Sequence, residues 1–148
     1  MLTCTFENSN VAHLRHVIVD AIVLRGSELL MVKRAASLSE GGKWGLIGGY
    51  FERDETLEEC VRREVLEETG YTLGEVKLLT IRDNPNRRNE DRQNVAFVYI
   101  CQVGELVGTP DWESDEVKWW PLSDLPPRDQ IAFDHADDID LYLTQKKA

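Results

Sequence analysis

The chain has 148 residues, 42% of them hydrophobic and 30% charged, which suffices for one domain with a buried core and is short for two. Its 17 basic and 27 acidic residues give a formal net charge of −10, an excess that argues against binding along nucleic-acid backbones. No apolar run approaches the ~20 residues of a membrane span, the N-terminus MLTCTFENSN lacks a basic region followed by an apolar stretch, and Cys4, Cys60 and Cys101 form neither a CxxC pair nor a disulfide framework. A reduced, cytoplasmic chain that is a single domain over residues 1–148, with no membrane and no nucleic-acid partner, is the expectation.

His16 to Leu24 (HVIVDAIVL) is rich in β-branched residues and predicts a strand; past the Arg25-Gly26 turn, Ser27 to Val32 (SELLMV) predicts its hairpin partner. Ala35 to Lys43 reads as a loop, and Trp44 to Phe51 as a short apolar strand interrupted by a turn at Gly48-Gly49. A helix follows, with Asp54 or Thr56 as its cap and Gly70 as its stop. Strands are predicted over Glu75 to Ile81, Asn94 to Val103 and part of Trp112 to Trp120, with a polar loop from Arg82 to Gln93. Pro126 and Pro127 keep their segment extended, and Ile131 to Leu143 reads as a last helix whose Asp134, Asp137, Asp138 and Asp140 suggest a solvated face. Strands interleaved with two helices imply an α/β domain with a mixed sheet between helices.

The run from Gly49 to Tyr71, GYFERDETLEECVRREVLEETGY, holds the densest chemistry. At about 100° per residue, Glu64, Glu67 and Glu68 share one helix face, continued toward the N-terminus by the apolar Leu57, Cys60 and Val61. The carboxylates are therefore expected on the buried side. Like charges crowded there repel one another and lose solvation unless a cation sits among them, and hard oxygen ligands suit Mg²⁺ or Mn²⁺.

The spacing of this run resembles the Nudix box, G-x5-E-x7-R-E-U-x-E-E-x-G-U, where U is a bulky aliphatic residue. Gly49, Glu55, Arg63, Glu64, Val65, Glu67, Glu68 and Gly70 fill the fixed positions, and Tyr71 replaces the last aliphatic residue. Ile47 stands where many relatives have proline, and Asp54 where a glycine usually precedes the glutamate. The resemblance implies a Nudix-type α/β/α sandwich and hydrolysis of a nucleoside diphosphate linked to a further group X. It also implies Glu64 and Glu68 as direct metal ligands, Glu67 as a ligand directly or through water, Glu55 as a helper and Arg63 as the residue holding the carboxylates. The backbone carbonyl of Gly48 or Gly49 is a further candidate ligand, since glycine lets the main chain approach closely. The general base stays open among Glu67, Glu68 and the loop acids Glu90, Asp91, Glu113, Asp115 and Glu116.

Two further segments bear on X. Arg82 to Ala96 (RDNPNRRNEDRQNVA) is similar to the D-P-x-R-D-P-R loop of ADP-ribose pyrophosphatases, with Asn84 inserted and the second D-P-R missing. Ile131 to Ile139 (IAFDHADDI) is similar to the A-F-D-H segment of the same group. Arg82, Arg87, Arg88 and Arg92 form a basic cluster suited to phosphate, and Lys33 and Arg34 close a strand expected to face the site. Tyr50, Phe51, Trp112, Trp119 and Trp120 are candidates for stacking on a base, while His135 is read as a packing or surface residue. ADP-ribose-like substrates are favoured; a (d)NTP pyrophosphohydrolase and a non-catalytic nucleotide-sensing Nudix domain are the alternatives. The resemblance also allows a homodimer.

Overall fold

The computed structural model describes residues 2–87 and 93–147. Its elements in chain order are β1 (Leu2–Thr5), β2 (Val11–Leu14), β3 (His16–Arg25), β4 (Glu28–Arg34), β5 (Trp44–Gly45), β6 (Ile47–Tyr50), α1 (Leu57–Thr69), β7 (Tyr71–Arg82), β8 (Asn94–Leu106), β9 (Ser114–Pro121), a short 3-10 turn (Arg128–Gln130) and α2 (His135–Lys147). The hairpin β1–β2 stands as its own two-stranded sheet and has no counterpart among the predicted elements. Neither helix is long and apolar enough to cross a membrane.

The main sheet runs β5-β4-β3-β8-β7, with β6 added to β3 and β9 to β4. β3 and β8 pair in parallel and the other pairs are antiparallel, so the sheet is mixed as expected. Along β3 the side chains alternate between two cores. Val19, Ala21 and Val23 pack with Cys60, Val61 and Val65 of α1. Ile22 and Leu24 pack with Ile139 and Tyr142 of α2. Both faces are covered, which gives an α/β/α sandwich.

Two features of β3 and β6 shape the site. One edge of β3 is shared: Ile18 to Ala21 pair with β6, whereas Val23 to Arg25 pair with β4. The sheet therefore forks at Ile22 and leaves a cleft beside the first half of β3. The chain break expected at Gly48-Gly49 falls instead at Leu46, and the two glycines continue β6 opposite Asp20 and Val19. Glycine serves close approach here, since a Cβ on Gly48 would lie 2.0 Å from the Val19 carbonyl oxygen.

Thr56, not Asp54, caps α1: its hydroxyl accepts from the Glu59 amide and the Glu59 carboxylate accepts from the Thr56 amide, a capping box. Gly70 ends the helix in the left-handed conformation, φ 77°. β7 starts immediately after it, earlier than predicted, and α2 starts at His135 after Ile131 bridges to Trp44.

The acidic run of α2 is not a solvated face. Asp134 and Asp138 are 4% and 0% exposed; only Asp137 and Asp140 reach solvent, where both pair with Arg128. Two arginines neutralise the buried pair. Arg87 clasps Asp134 with two bonds of 2.6 and 2.7 Å, and Arg82 meets Asp138 at 2.6 Å. Asp134 lies just before α2 and Asp138 in its first turn, and both are turned inward.

Removing Arg82 would strand a fully buried carboxylate. Arg82→Leu is expected to cost about 3–5 kcal/mol in urea unfolding at pH 8. The loss should shrink at pH 5, because burial and the nearby Asp20 already push the Asp138 carboxyl up to about 6, so that it then takes a proton. An equal loss at both pH values would refute this account.

Candidate active site

The site is assembled around Arg63, which α1 presents beside the end of β6. Its Nε and Nη2 donate to the two oxygens of Glu55 at 3.0 and 2.7 Å, a bidentate pair. Nη1 donates to Glu64 at 2.7 Å and to Glu67 at 3.1 Å, and Nη2 also reaches the Tyr50 carbonyl at 3.0 Å. Glu55 in turn accepts from the Glu52 amide at 2.9 Å. The Arg63 bonds, aided by that amide, hold the Glu55 carboxyl down at about 2, so it stays ionised.

The three glutamates of the helix face differ in burial. Glu68 is buried, the Glu64 side chain is 13% exposed and that of Glu67 is 51% exposed, so only part of the carboxylate face lies on the core side. Glu68 accepts from the Gly48 amide at 3.1 Å, and Ser114 donates to it at 3.4 Å. Burial, then repulsion from Glu64, Asp111 and Glu113, push its carboxyl up to about 8 against the pull of the Gly48 amide. Burial also raises Glu64, against the opposing effect of Arg63. Among the described residues, no three such side chains converge as a ready-made metal cage. Arg63 draws Glu64 and Glu67 to itself, while Glu68 turns to Gly48.

The donor set nonetheless suits a hard divalent cation. Its oxygens are crowded, partly desolvated and mutually repelling, which a cation would relieve. The backbone has also been cleared for the carboxylates: a Cβ on Gly49 would sit 2.5 Å from the Glu64 carboxyl. Two more acids reach the site from the β8–β9 connection. The Asp111 amide bonds the Glu67 carbonyl, and the Glu113 carbonyl accepts from the Ala35 amide, which ties that loop to α1 and to the end of β4.

These groups border a cleft of about 460 Å³, within the range of small-molecule sites. His16, Ile18 and Asp20 of β3 form one wall, with Gly48, Gly49 and Tyr50 of β6 beside them. Arg34 and Phe133 close another side, the guanidinium 4.9 Å from the ring centre while its Nε bonds the Ser39 carbonyl. Tyr50 and His16 meet edge to face at 5.1 Å.

Of the expected substrate contacts, Arg34 and Tyr50 line the cleft. Lys33 does not; the β4–β9 register shifts between Lys33 and Arg34, and Arg34 takes the cleft side. Arg82 and Arg87 are not in the lining either, being committed to Asp138 and Asp134. Arg88, Glu90, Asp91 and Arg92 lie outside the described residues. Trp119 packs on Tyr71 and Trp120 on Trp44; neither these two nor Phe51 and Trp112 line the cleft. Among the loop acids, Glu113 is brought in, whereas Asp115 and Glu116 are not. Sequence reasoning passed over Asp20, His16, Asn94, Asp111 and Phe133. Only Asp20 carried a signal, as the lone acid in the apolar strand HVIVDAIVL.

Residues 14–141 match the NUDIX domain family model. The chain is 35% identical over 133 residues to an ADP-ribose pyrophosphatase of Methanocaldococcus jannaschii, covering 88% of this chain and 74% of that protein. It is also 35% identical over 111 residues to a putative nudix hydrolase 1 of Caenorhabditis elegans, but there it spans 28% of the relative's length and 71% of its own. Its fold is similar to the NUDIX domain of Shewanella oneidensis NrtR complexed with ADP ribose, with a TM-score of 0.75 and 27% identity over 91% of this chain and 90% of that one. The chain thus belongs to the Nudix hydrolases, and the chemistry of its site is that of a pyrophosphohydrolase.

Because its folded value lies above the ordinary 4.5, the protonated Glu68 stabilises the fold at low pH, and this contribution is lost as pH rises through about 8. In chelator, the melting temperature is expected to fall between pH 5 and pH 8.5, and Glu68→Gln to flatten that slope. An unchanged slope in the variant would place the repulsion elsewhere.

Proposed function

We propose that this chain hydrolyses, with Mg²⁺ or Mn²⁺, the diphosphate linkage of a nucleoside diphosphate joined to a group X, with ADP-ribose-like molecules as the favoured substrates. The observation that carries this reading is one cleft lined both by the Arg63-held glutamates of α1 and by Arg34, Phe133 and Tyr50. Its carboxylates suit a cation that would bind a diphosphate; its guanidinium and aromatic rings suit the remaining phosphate charge and a flat base. The M. jannaschii relative and the ADP ribose in the S. oneidensis structure support the same substrate class.

Glu64, Glu68, Glu67 and the Gly48 carbonyl are the groups that would hold the cation. When bound, it neutralises the diphosphate, stabilises the leaving phosphate and lowers the pKa of a water. Arg63 keeps Glu64 and Glu67 oriented and Glu55 ionised without competing as a ligand. Arg34, anchored by Ser39 and Phe133, binds the substrate's phosphates. Glu113 lines the cleft and is not held by Arg63, and it takes the proton from the attacking water.

The test is AMP release from a panel of ADP-ribose, NADH, nucleotide sugars and (d)NTPs with each metal. ADP-ribose is expected to lead. Glu68→Gln should abolish metal-dependent turnover, and Arg34→Met should raise KM with kcat retained. Glu113→Gln should lower kcat by about 10²–10⁴-fold at unchanged KM. Turnover confined to (d)NTPs would overturn the substrate assignment, and an active Glu113→Gln the choice of base.

A further inference from the structure

Asp20 is costly where it stands. It sits in the middle of the apolar strand β3, 4% exposed, yet it borders the cleft. Among the described residues its Oδ2 is buried with no hydrogen-bond partner, and Oδ1 has the His135 ring nitrogen Nε2, at 3.5 Å. A buried carboxylate left in this condition weakens a fold, and an apolar residue would serve β3 better.

The charged groups around it do not remedy this. Arg82 is spent on Asp138, and Asp138 itself repels Asp20. His135 is committed as well: its Nδ1 accepts from the Leu46 amide at 2.9 Å, so the ring is held in the form with hydrogen on Nε2. The three aspartates near it favour a second proton, but that proton would have to sit on Nδ1, against the Leu46 amide. His135 therefore steadies the Asp20 carboxylate through one long contact and leaves acceptor capacity over.

The backbone of β6 passes close beside that carboxylate, with no side chain between them. Opposite Asp20 in the β3–β6 register is Gly48, and a Cβ there would come within 2.9 Å of Asp20 Oδ1. Phe133, under the Arg34 guanidinium, supplies a flat wall in the same cleft.

We propose that Asp20 is a specificity-determining residue that accepts a hydrogen bond from a neutral N–H or O–H donor on the nucleoside part of the substrate. The proposal rests on the nucleoside diphosphate reading above. The donor is either an exocyclic amine of the base or a hydroxyl of the ribose, and the two share the chemistry Asp20 lacks in the empty cleft. A site built around such an acceptor rejects analogues without the donor, because the carboxylate is then left buried and unpaired.

The experiment compares wild type, Asp20→Asn and Asp20→Ala on ADP-ribose, on its analogue with unsubstituted purine in place of adenine, and on its 2′-deoxy and 3′-deoxy adenosine analogues. Wild type is expected to prefer the donor-bearing substrate roughly tenfold or more, through KM. Asp20→Ala should erase that preference, and Asp20→Asn, which keeps one acceptor oxygen, should retain part of it. Loss of preference against the purine analogue identifies the amine; loss against a deoxy analogue identifies the hydroxyl. Both variants should melt at or above the wild-type temperature, since a buried unpaired charge is gone. A preference that survives in Asp20→Ala overturns the proposal, as does a uniform fall in kcat with KM unmoved. If wild type turns over none of the four, the nucleoside diphosphate reading has failed as an activity. Asp20 is then judged by ADP-ribose binding: a rise in melting temperature lost in Asp20→Ala supports it, and a rise kept there, or none in wild type, overturns it.

Discussion

One guanidinium organises the acidic side of the cleft. Arg63 joins the loop before α1 through Glu55, the end of β6 through the Tyr50 carbonyl, and its own helix through Glu64 and Glu67. Carboxylates at such short range would otherwise repel one another. A planar cation with five donors fixes their directions and offsets their charge, while its lack of any acceptor keeps it from acting as a metal ligand. Glu68 is the carboxylate that Arg63 does not touch. It is also the most buried, and burial together with the neighbouring acids makes it the one whose ionisation costs most in the empty site.

The opposite face of the sheet follows the same logic with a different outcome. Asp134 and Asp138 are as buried as Glu68, but each has an arginine brought to it from β7 or from the segment that follows. Where Arg87 holds Asp134 with paired bonds, burial would raise the carboxyl, yet the guanidinium wins and its value falls below the ordinary one. Asp138, with Arg82 on one oxygen and Asp20 nearby, goes the other way. The two aspartates dock α2 against the sheet, and that docking carries His135 and Phe133 to the cleft.

Local order explains what the sequence made legible. The helix of α1, its glycine stop and the glutamate–arginine pattern depend on residues within a few turns of one another, and they appear where the spacing puts them. The paired strands β3 and β4 were equally local. What escaped was set by partners distant in sequence. Gly48 and Gly49 look like a turn until β3 is laid beside them, when the Val19 carbonyl turns out to exclude a side chain. The acidic run of α2 looks solvated because Arg82 and Arg87 lie about fifty residues upstream. Those same arginines looked like phosphate ligands because their aspartates were out of view. Lys33 and Arg34 are neighbours whose roles part only once the face of β4 is known.

Gly48 touches both kinds of carboxylate that border the cleft. Its amide points to Glu68, and the space where its side chain would stand is bounded by Asp20. Adjacent strands lie about 4.8 Å apart, so β3 and β6 set the offset between Asp20 and the Gly48 amide that holds Glu68. A substrate that spans the cleft is thus measured against a rigid backbone spacing, with side chains adding direction and charge. Two buried carboxylates that border one cleft can thus serve different chemistry. Glu68 is surrounded by like charge and invites a cation, whereas Asp20 faces an imidazole whose Nδ1 is taken by the Leu46 amide, and invites a neutral donor.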